Sequence, residues 1–176
     1  MPAPDDLRRP SSTARIRVLL TIKGLGPGGA ERLLADVVAT GNVEDFDYEV
    51  AYVLDGEDAL APAIIAGGTP VHALGSTRNL DLRWMAAFRR LLLDGNFDIV
   101  HFHLPYTAAL GRLVVATLPR GKRPVTIYTE HSMWNKVAVL VKMLNRSTIA
   151  SDRALLAVSD AAYDALPRSL QPRARI

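Results

Sequence analysis

The chain contains no cysteine, which excludes a disulfide framework and thiolate metal ligation and agrees with a reducing compartment. No apolar run approaches the roughly 18 residues a membrane-spanning helix needs, and the opening MPAPDDLRRPSSTARIR lacks the apolar core of a signal peptide. The cytoplasm is the expected location. Net charge is only +3, with basic residues scattered among acidic ones, so charge gives no reason to expect nucleic acid as a partner. Residues 1–14 carry almost no large apolar side chains and are expected to be a disordered leader.

What is present fits one domain over residues 15–176: 176 residues with 49% hydrophobic content can fill one core but are short for two. The stretch KGLGPGGAER at residues 23–32 organises the rest. It follows the apolar run IRVLLTI and precedes Ala30, Leu33, Leu34, Val37 and Val38, one stripe of an amphipathic helix. A helix therefore begins near Gly28 and Gly29. Its first N–H groups and the aligned peptide dipoles favour an anion there, and glycine lets a phosphate approach and permits positive φ. The same glycines could simply make a tight strand-to-helix turn. Arg32 and Asp36 have the spacing of a surface ion pair.

Further strands are expected at residues 48–54, 71–74, 97–105, 124–132 and 154–158. Helices are expected at 58–66, 81–93, 107–117, 135–149 and 160–166, the last capped by Ser159. Short strands alternating with helices make βαβ units with right-handed crossovers. The expected fold is a Rossmann-like, doubly wound parallel α/β sheet, whose ligand crevice lies beyond the carboxyl ends of the strands.

Three such ends carry polar signatures. The first is the glycine hinge. The second is His101-Phe102-His103, where alternation puts both histidines on one side and leaves His103 at the strand exit. The third is Thr129-Glu130-His131. A histidine at a strand exit can exchange a proton or a hydrogen bond with a substrate hydroxyl near neutral pH, although a structural role is the commoner one. A zinc site is disfavoured because second-shell carboxylates are not evident. Gly24, Gly26 and Gly29 also fit G-x-G-x-x-G, the mark of an NAD(P)-type dinucleotide domain, but Asp55 lies far along for the ribose-binding acid and Pro27 removes a donor.

Together GGAER at residues 28–32, DIVHFHLP at 98–105, TEHS at 129–132 and LLAVSDAA at 155–162 resemble the N-terminal domain of family 4 glycosyltransferases with the GT-B fold. The resemblance covers nearly everything after Arg15. It implies a retaining transferase that moves a sugar from a nucleotide-sugar donor to a glycan or lipid-linked acceptor, needs no metal or other cofactor, and keeps the acceptor crevice on this domain. It further implies that Gly28 and Gly29 approach the donor diphosphate, that His103 is catalytic, and that His131 and Thr129 line the cleft floor. Ser159 matches the serine after the sixth strand, with a helix cap as its equal alternative. Neither Glu130 nor Asp98 is needed as a nucleophile, and Asp98 reads as a strand-entry residue.

Such enzymes are roughly twice this length, and the donor-binding half is missing from residues 1–176. The expectation is a chain inactive alone: a fragment, or half of a split enzyme with a separate donor-domain chain. A non-catalytic binding module of a split transferase is the competing reading. Within residues 135–146, the stretch 137–144 is apolar almost all round except Lys142, with Trp134 before it and Lys136 and Arg146 at its flanks, which suggests either a buried central helix or a peripheral contact with the inner membrane face.

Overall fold

The computed structural model describes residues 14–78, 81–131 and 137–176. In order these form β1 (Ile16–Ile22), α1 (Gly29–Thr40), β2 (Phe46–Leu54), α2 (Ala61–Ala66), β3 (Val71–Ser76), α3 (Trp84–Gly95), β4 (Ile99–His103), α4 (Pro105–Ala116), β5 (Val125–Glu130), α5 (Val139–Thr148), β6 (Ala154–Ala157), α6 (Asp160–Ala165) and β7 (Ala174–Arg175). The strands make one seven-stranded sheet in the order β3-β2-β1-β4-β5-β6-β7, and every neighbouring pair is parallel.

Because side chains alternate along a strand, β1 feeds two cores. Val18, Leu20 and Ile22 pack with Leu34 and Val38 of α1 and Ile64 of α2. Leu19 faces the other way, with Trp84, Phe88 and Leu92 of α3, Val114 of α4, and Phe102 and Tyr128 of β4 and β5. Right-handed crossovers dictate this division: successive strands placed to one side of β1 carry their helices on one face, and those placed to the other side carry them on the opposite face. The order reverses between β1 and β4, so the loops leaving these two neighbours diverge and open a crevice at their carboxyl ends. The chain is a Rossmann-like doubly wound sheet, as its alternation of elements predicts.

The differences from the sequence expectation are local. The second helix begins at Ala61 rather than residue 58 because Pro62 occupies its first turn, where its missing N–H is tolerated. The third strand continues to Ser76 through Gly75, whose φ of +76° allows the shift in register against β2. A seventh strand, β7, is only two residues long and too short to leave a pattern in the sequence. Arg32 and Asp36 make no ion pair. Asp98 does act at a strand entry, accepting a 2.8 Å hydrogen bond from the Arg17 backbone. The expected leader overlaps residues 1–13, and the start of the expected fifth helix lies at 135–136; both lie outside the described residues.

Between α4 and α5 lies a buried ionic network. The Arg112 guanidinium meets Asp152 at 2.6 Å, donates to Asn145 Oδ1 at 2.6 Å and stacks 5.0 Å from the Tyr128 ring centroid. Tyr128 in turn donates to Glu130 at 2.6 Å. Thus a carboxylate at the end of β5 is tied through one ring to the pair that holds the helices together.

Candidate functional site

Strand pairing decides which histidines can meet. His103 lies directly opposite Thr129 in the β4–β5 register, and His101 opposite Ile127. Alternation then sends His101, His103 and Thr129 to one face, the face of α1, because Ile99 and Leu104 pack against the same core as α1. His131, one residue beyond β5, folds back over this row.

Three imidazoles stack as a result. The His101 and His103 ring centroids are 4.3 Å apart, and those of His103 and His131 are 5.0 Å apart. His103 Nδ1 is 2.8 Å from His131 Nε2, and His101 Nε2 is 2.7 Å from Thr129 Oγ1. A metal does not fit between the first two nitrogens, since zinc needs each nitrogen at about 2.0–2.1 Å with wide angles between them. Among the described residues no group of three or more acidic or histidine side chains is placed to hold a metal ion.

Burial fixes the charge state. It pushes His101 and His131 down to about 4 and holds His103 well below the ordinary imidazole value, with the two neighbouring rings adding to the effect. All three are neutral at pH 7, so the pair His103–His131 shares one N–H between facing nitrogens. His103 is 2% exposed, and its Nε2 has no protein hydrogen-bond partner. A buried ring nitrogen left unmatched costs roughly 1–3 kcal/mol.

The backbone after His103 is equally specific. Leu104 has φ +70° and ψ 144°, a region that side-chain-bearing residues avoid and that marks stored strain. Thr107 Oγ1 donates back to the His103 and Leu104 carbonyls, and Pro105 starts α4 at once. Only Leu104 separates strand from helix, so the position of His103 follows that of α4.

Across the crevice, the loop at residues 23–28 leads from β1 to α1. Leu25 is fully buried; its carbonyl accepts from Leu60 at 2.9 Å, and the Lys23 carbonyl accepts from Leu54 at 2.8 Å. The loop therefore leans over β2, and Gly28 precedes the helix in an extended conformation, φ −74° and ψ 171°. This corrects the expectation of left-handed glycines: the positive-φ glycines among the described residues are Gly56, Gly68 and Gly75. What Gly29 supplies is space, since a Cβ there meets nothing within 4 Å, while no side chain caps the first turn of α1. The tight turn of a dinucleotide fingerprint is absent, although Asp55 does follow directly on β2.

The remaining candidates fall behind or beside the crevice. Thr129 is 5% exposed and engaged with His101. Ser159, at the end of β6, accepts from the Ala162 N–H at 3.2 Å and caps α6. Glu130 points to the opposite face with Tyr128 and is fully buried. Sequence reading missed the His101–Thr129 link and the strained Leu104; the in-phase alternation of H-x-H and T-x-H was a signal for the first, and Leu-Pro after a strand gave no sign of the second.

Solved structures share this fold. The lipopolysaccharide outer core galactosyltransferase WaaB in its apo form matches with a TM-score of 0.67 at 14% identity, over 92% of this chain and 45% of that one. Anabaena HepE in complex with UDP matches with a TM-score of 0.69 at 14% identity, over 91% and 43%. A putative UDP-N-acetylglucosamine 2-epimerase from Listeria monocytogenes matches with a TM-score of 0.66 at 18% identity, over 92% and 44%. This chain spans less than half the length of each. No curated protein sequence matches it. The family model described as Glycosyltransferase Family 4 matches residues 27–176, covering Gly28 and Gly29, all three imidazoles and the Ser159 cap, and the chain belongs to that family.

Proposed function

We propose that this domain is the acceptor-side half of a retaining glycosyltransferase that moves a sugar from a nucleotide-sugar donor to a glycan or lipid-linked acceptor at the cytoplasmic side of a membrane, in polysaccharide biosynthesis. The observation that carries the reading is the buried, unmatched Nε2 of His103, on the same face and the same strand-end edge as the uncapped first turn of α1. In this reading α1 offsets the charge building on the leaving diphosphate. His103, neutral and oriented by His131, hydrogen-bonds the reacting sugar or the attacking hydroxyl. Which it does depends on the shared proton: with His131 as donor, His103 presents Nε2–H; with His103 as donor, Nε2 presents a lone pair.

Retention then needs no protein nucleophile: the acceptor attacks on the face from which the leaving group departs, and the leaving phosphate helps to take the proton. The placement of Glu130, fully buried and bonded to Tyr128 on the far side of the sheet, supports this. Transfer requires a second, donor-binding Rossmann domain, whether later in a longer chain or on a separate one; solved structures twice the length of this chain support that arrangement.

The test is an NMR titration of the ¹⁵N-labelled chain with UDP and with UDP-sugars. Shifts confined to the Gly28 and Gly29 amides and the His103 and His131 rings are expected. Shifts confined to other surfaces would overturn the site. Substantial sugar transfer by the 176-residue chain alone would overturn the two-domain requirement.

A further inference from the structure

The carboxyl end of β1 carries two polar side chains on the side away from His103. Leu19 belongs to the core of α3 and α4, so alternation turns Thr21 and then Lys23 the same way. Thr21 is fully buried, and its Oγ1 has no protein hydrogen-bond partner. Lys23, one residue past the strand, is half-buried, and its Nζ stands 5.9 Å from the centroid of the Tyr106 ring. Among the described residues its ammonium group has no ion pair or hydrogen bond. Glu57 packs instead beside Gly24, and Asp81 is held by Arg83 at 2.8 Å.

The surroundings of this cation call for an anion. Tyr106 belongs to the first turn of α4, which no side chain caps, and a helix start ordinarily attracts an acid rather than a lysine. The ring face offsets the charge only in part. Tyr106 Oη accepts from Trp84 Nε1 at 3.4 Å, which leaves its own proton to give. An ammonium group, a phenol and first-turn amides together match the several oxygens of a phosphate. Thr21 pairs with Phe102 across β1 and β4, and one further step along both strands brings Ile22 beside His103. Lys23 therefore stands next to the histidine at the place where the strand order reverses. We propose that Lys23 and the Tyr106 hydroxyl hold a phosphate group of the acceptor, which is thus a charged sugar rather than a neutral one. Its phosphate lies on the α3 and α4 side of the strand ends, and its reacting hydroxyl on the side of His103. The assignment to the acceptor rests on the reading of this domain as the acceptor-side half; the phosphate site itself does not.

The experiment is an NMR titration of the 176-residue chain, labelled with ¹⁵N throughout and with ¹³C at lysine, with inorganic phosphate, against sodium chloride at equal ionic strength, and then with phosphate in the presence of UDP. A saturable shift of the Lys23 Cε signal and of the Tyr106 and Thr107 amides is expected with phosphate but not with chloride, and UDP should leave it in place. Lys23→Met should weaken binding, read at the two amides, by about tenfold or more, and Lys23→Arg should keep most of it. Methionine preserves the apolar stem, so the variant should unfold at the parent's midpoint, and the Lys23 signal of the parent needs no variant at all. Absence of a saturable Lys23 shift, equal affinity in Lys23→Met, or an equal response to chloride would overturn the site. Displacement of phosphate by UDP would give the site to the donor diphosphate and overturn the acceptor assignment. The two readings fail separately: UDP leaving Gly28 and Gly29 unmoved while phosphate saturates Lys23 would defeat the donor contact and keep the phosphate site, and the converse would do the reverse.

Discussion

His103 Nδ1 and His131 Nε2 face each other at 2.8 Å, which ties the proton on the far nitrogen of His103 to its neighbour's. Histidine ¹⁵N spectra at pH 7 should show His103 as a single neutral tautomer. In His131→Phe the constraint is gone, and two His103 tautomers in exchange are expected. A single unchanged tautomer in the variant would show that His131 does not set it.

Acid should weaken the fold. The three imidazoles are held below their ordinary value, so between pH 6.5 and about 4 the unfolded chain binds protons that the folded chain does not. Stability is thus fully present above pH 6.5 and falls as the pH drops toward 4. His101 alone accounts for up to about 3 kcal/mol of that loss. Urea midpoints measured across this range should fall steeply, and His101→Phe should flatten the curve.

Gly111 is a place where a helix tolerates no improvement. Alanine in an exposed helix gains about 1 kcal/mol over glycine, but a Cβ at Gly111 would come within 2.3 Å of the Phe102 ring. Phe102 is fully buried and has no room to yield, so overpacking of about 1–3 kcal/mol should win. Gly111→Ala is expected to lower the thermal midpoint; a rise would show that the core there is looser than described.

Removing half of a buried ion pair is worse than removing both. Arg112→Met leaves Asp152 buried and uncompensated and should cost about 3–5 kcal/mol. Adding Asp152→Leu should restore most of it, because the remaining charge goes too. Denaturant unfolding of the two single variants and the double variant measures the coupling, and additive losses would contradict it.

The fold was legible because its signals are redundant. The Trp84, Phe88 and Leu92 stripe of α3 and the apolar runs of β1 and β2 each state one periodicity clearly, and their alternation forces a parallel sheet. The site was only half legible. H-x-H and T-x-H are visible as motifs, yet whether His103 meets His131 depends on inter-strand register, which no single strand encodes. The left-handed Leu104 left no trace, since its conformation is imposed by β4 and α4 meeting across one residue. The pattern of α5 fits either a buried or a membrane-facing helix because periodicity gives the apolar side of a helix but not which side the rest of the protein claims; Arg112 turns Asn145 inward by donating to it.

The single residue between β4 and α4 also settles where the crevice can yield. With Leu104 already at φ +70° and Pro105 locked behind it, the histidine wall is a fixed jaw. Opposite it, Leu25 is pinned to the segment before α2, which leaves Gly26, Pro27 and Gly28 as the movable one. Any adjustment to the size of a guest should therefore be a swing of three residues at the mouth of α1, with the imidazoles acting as the anvil against which it closes.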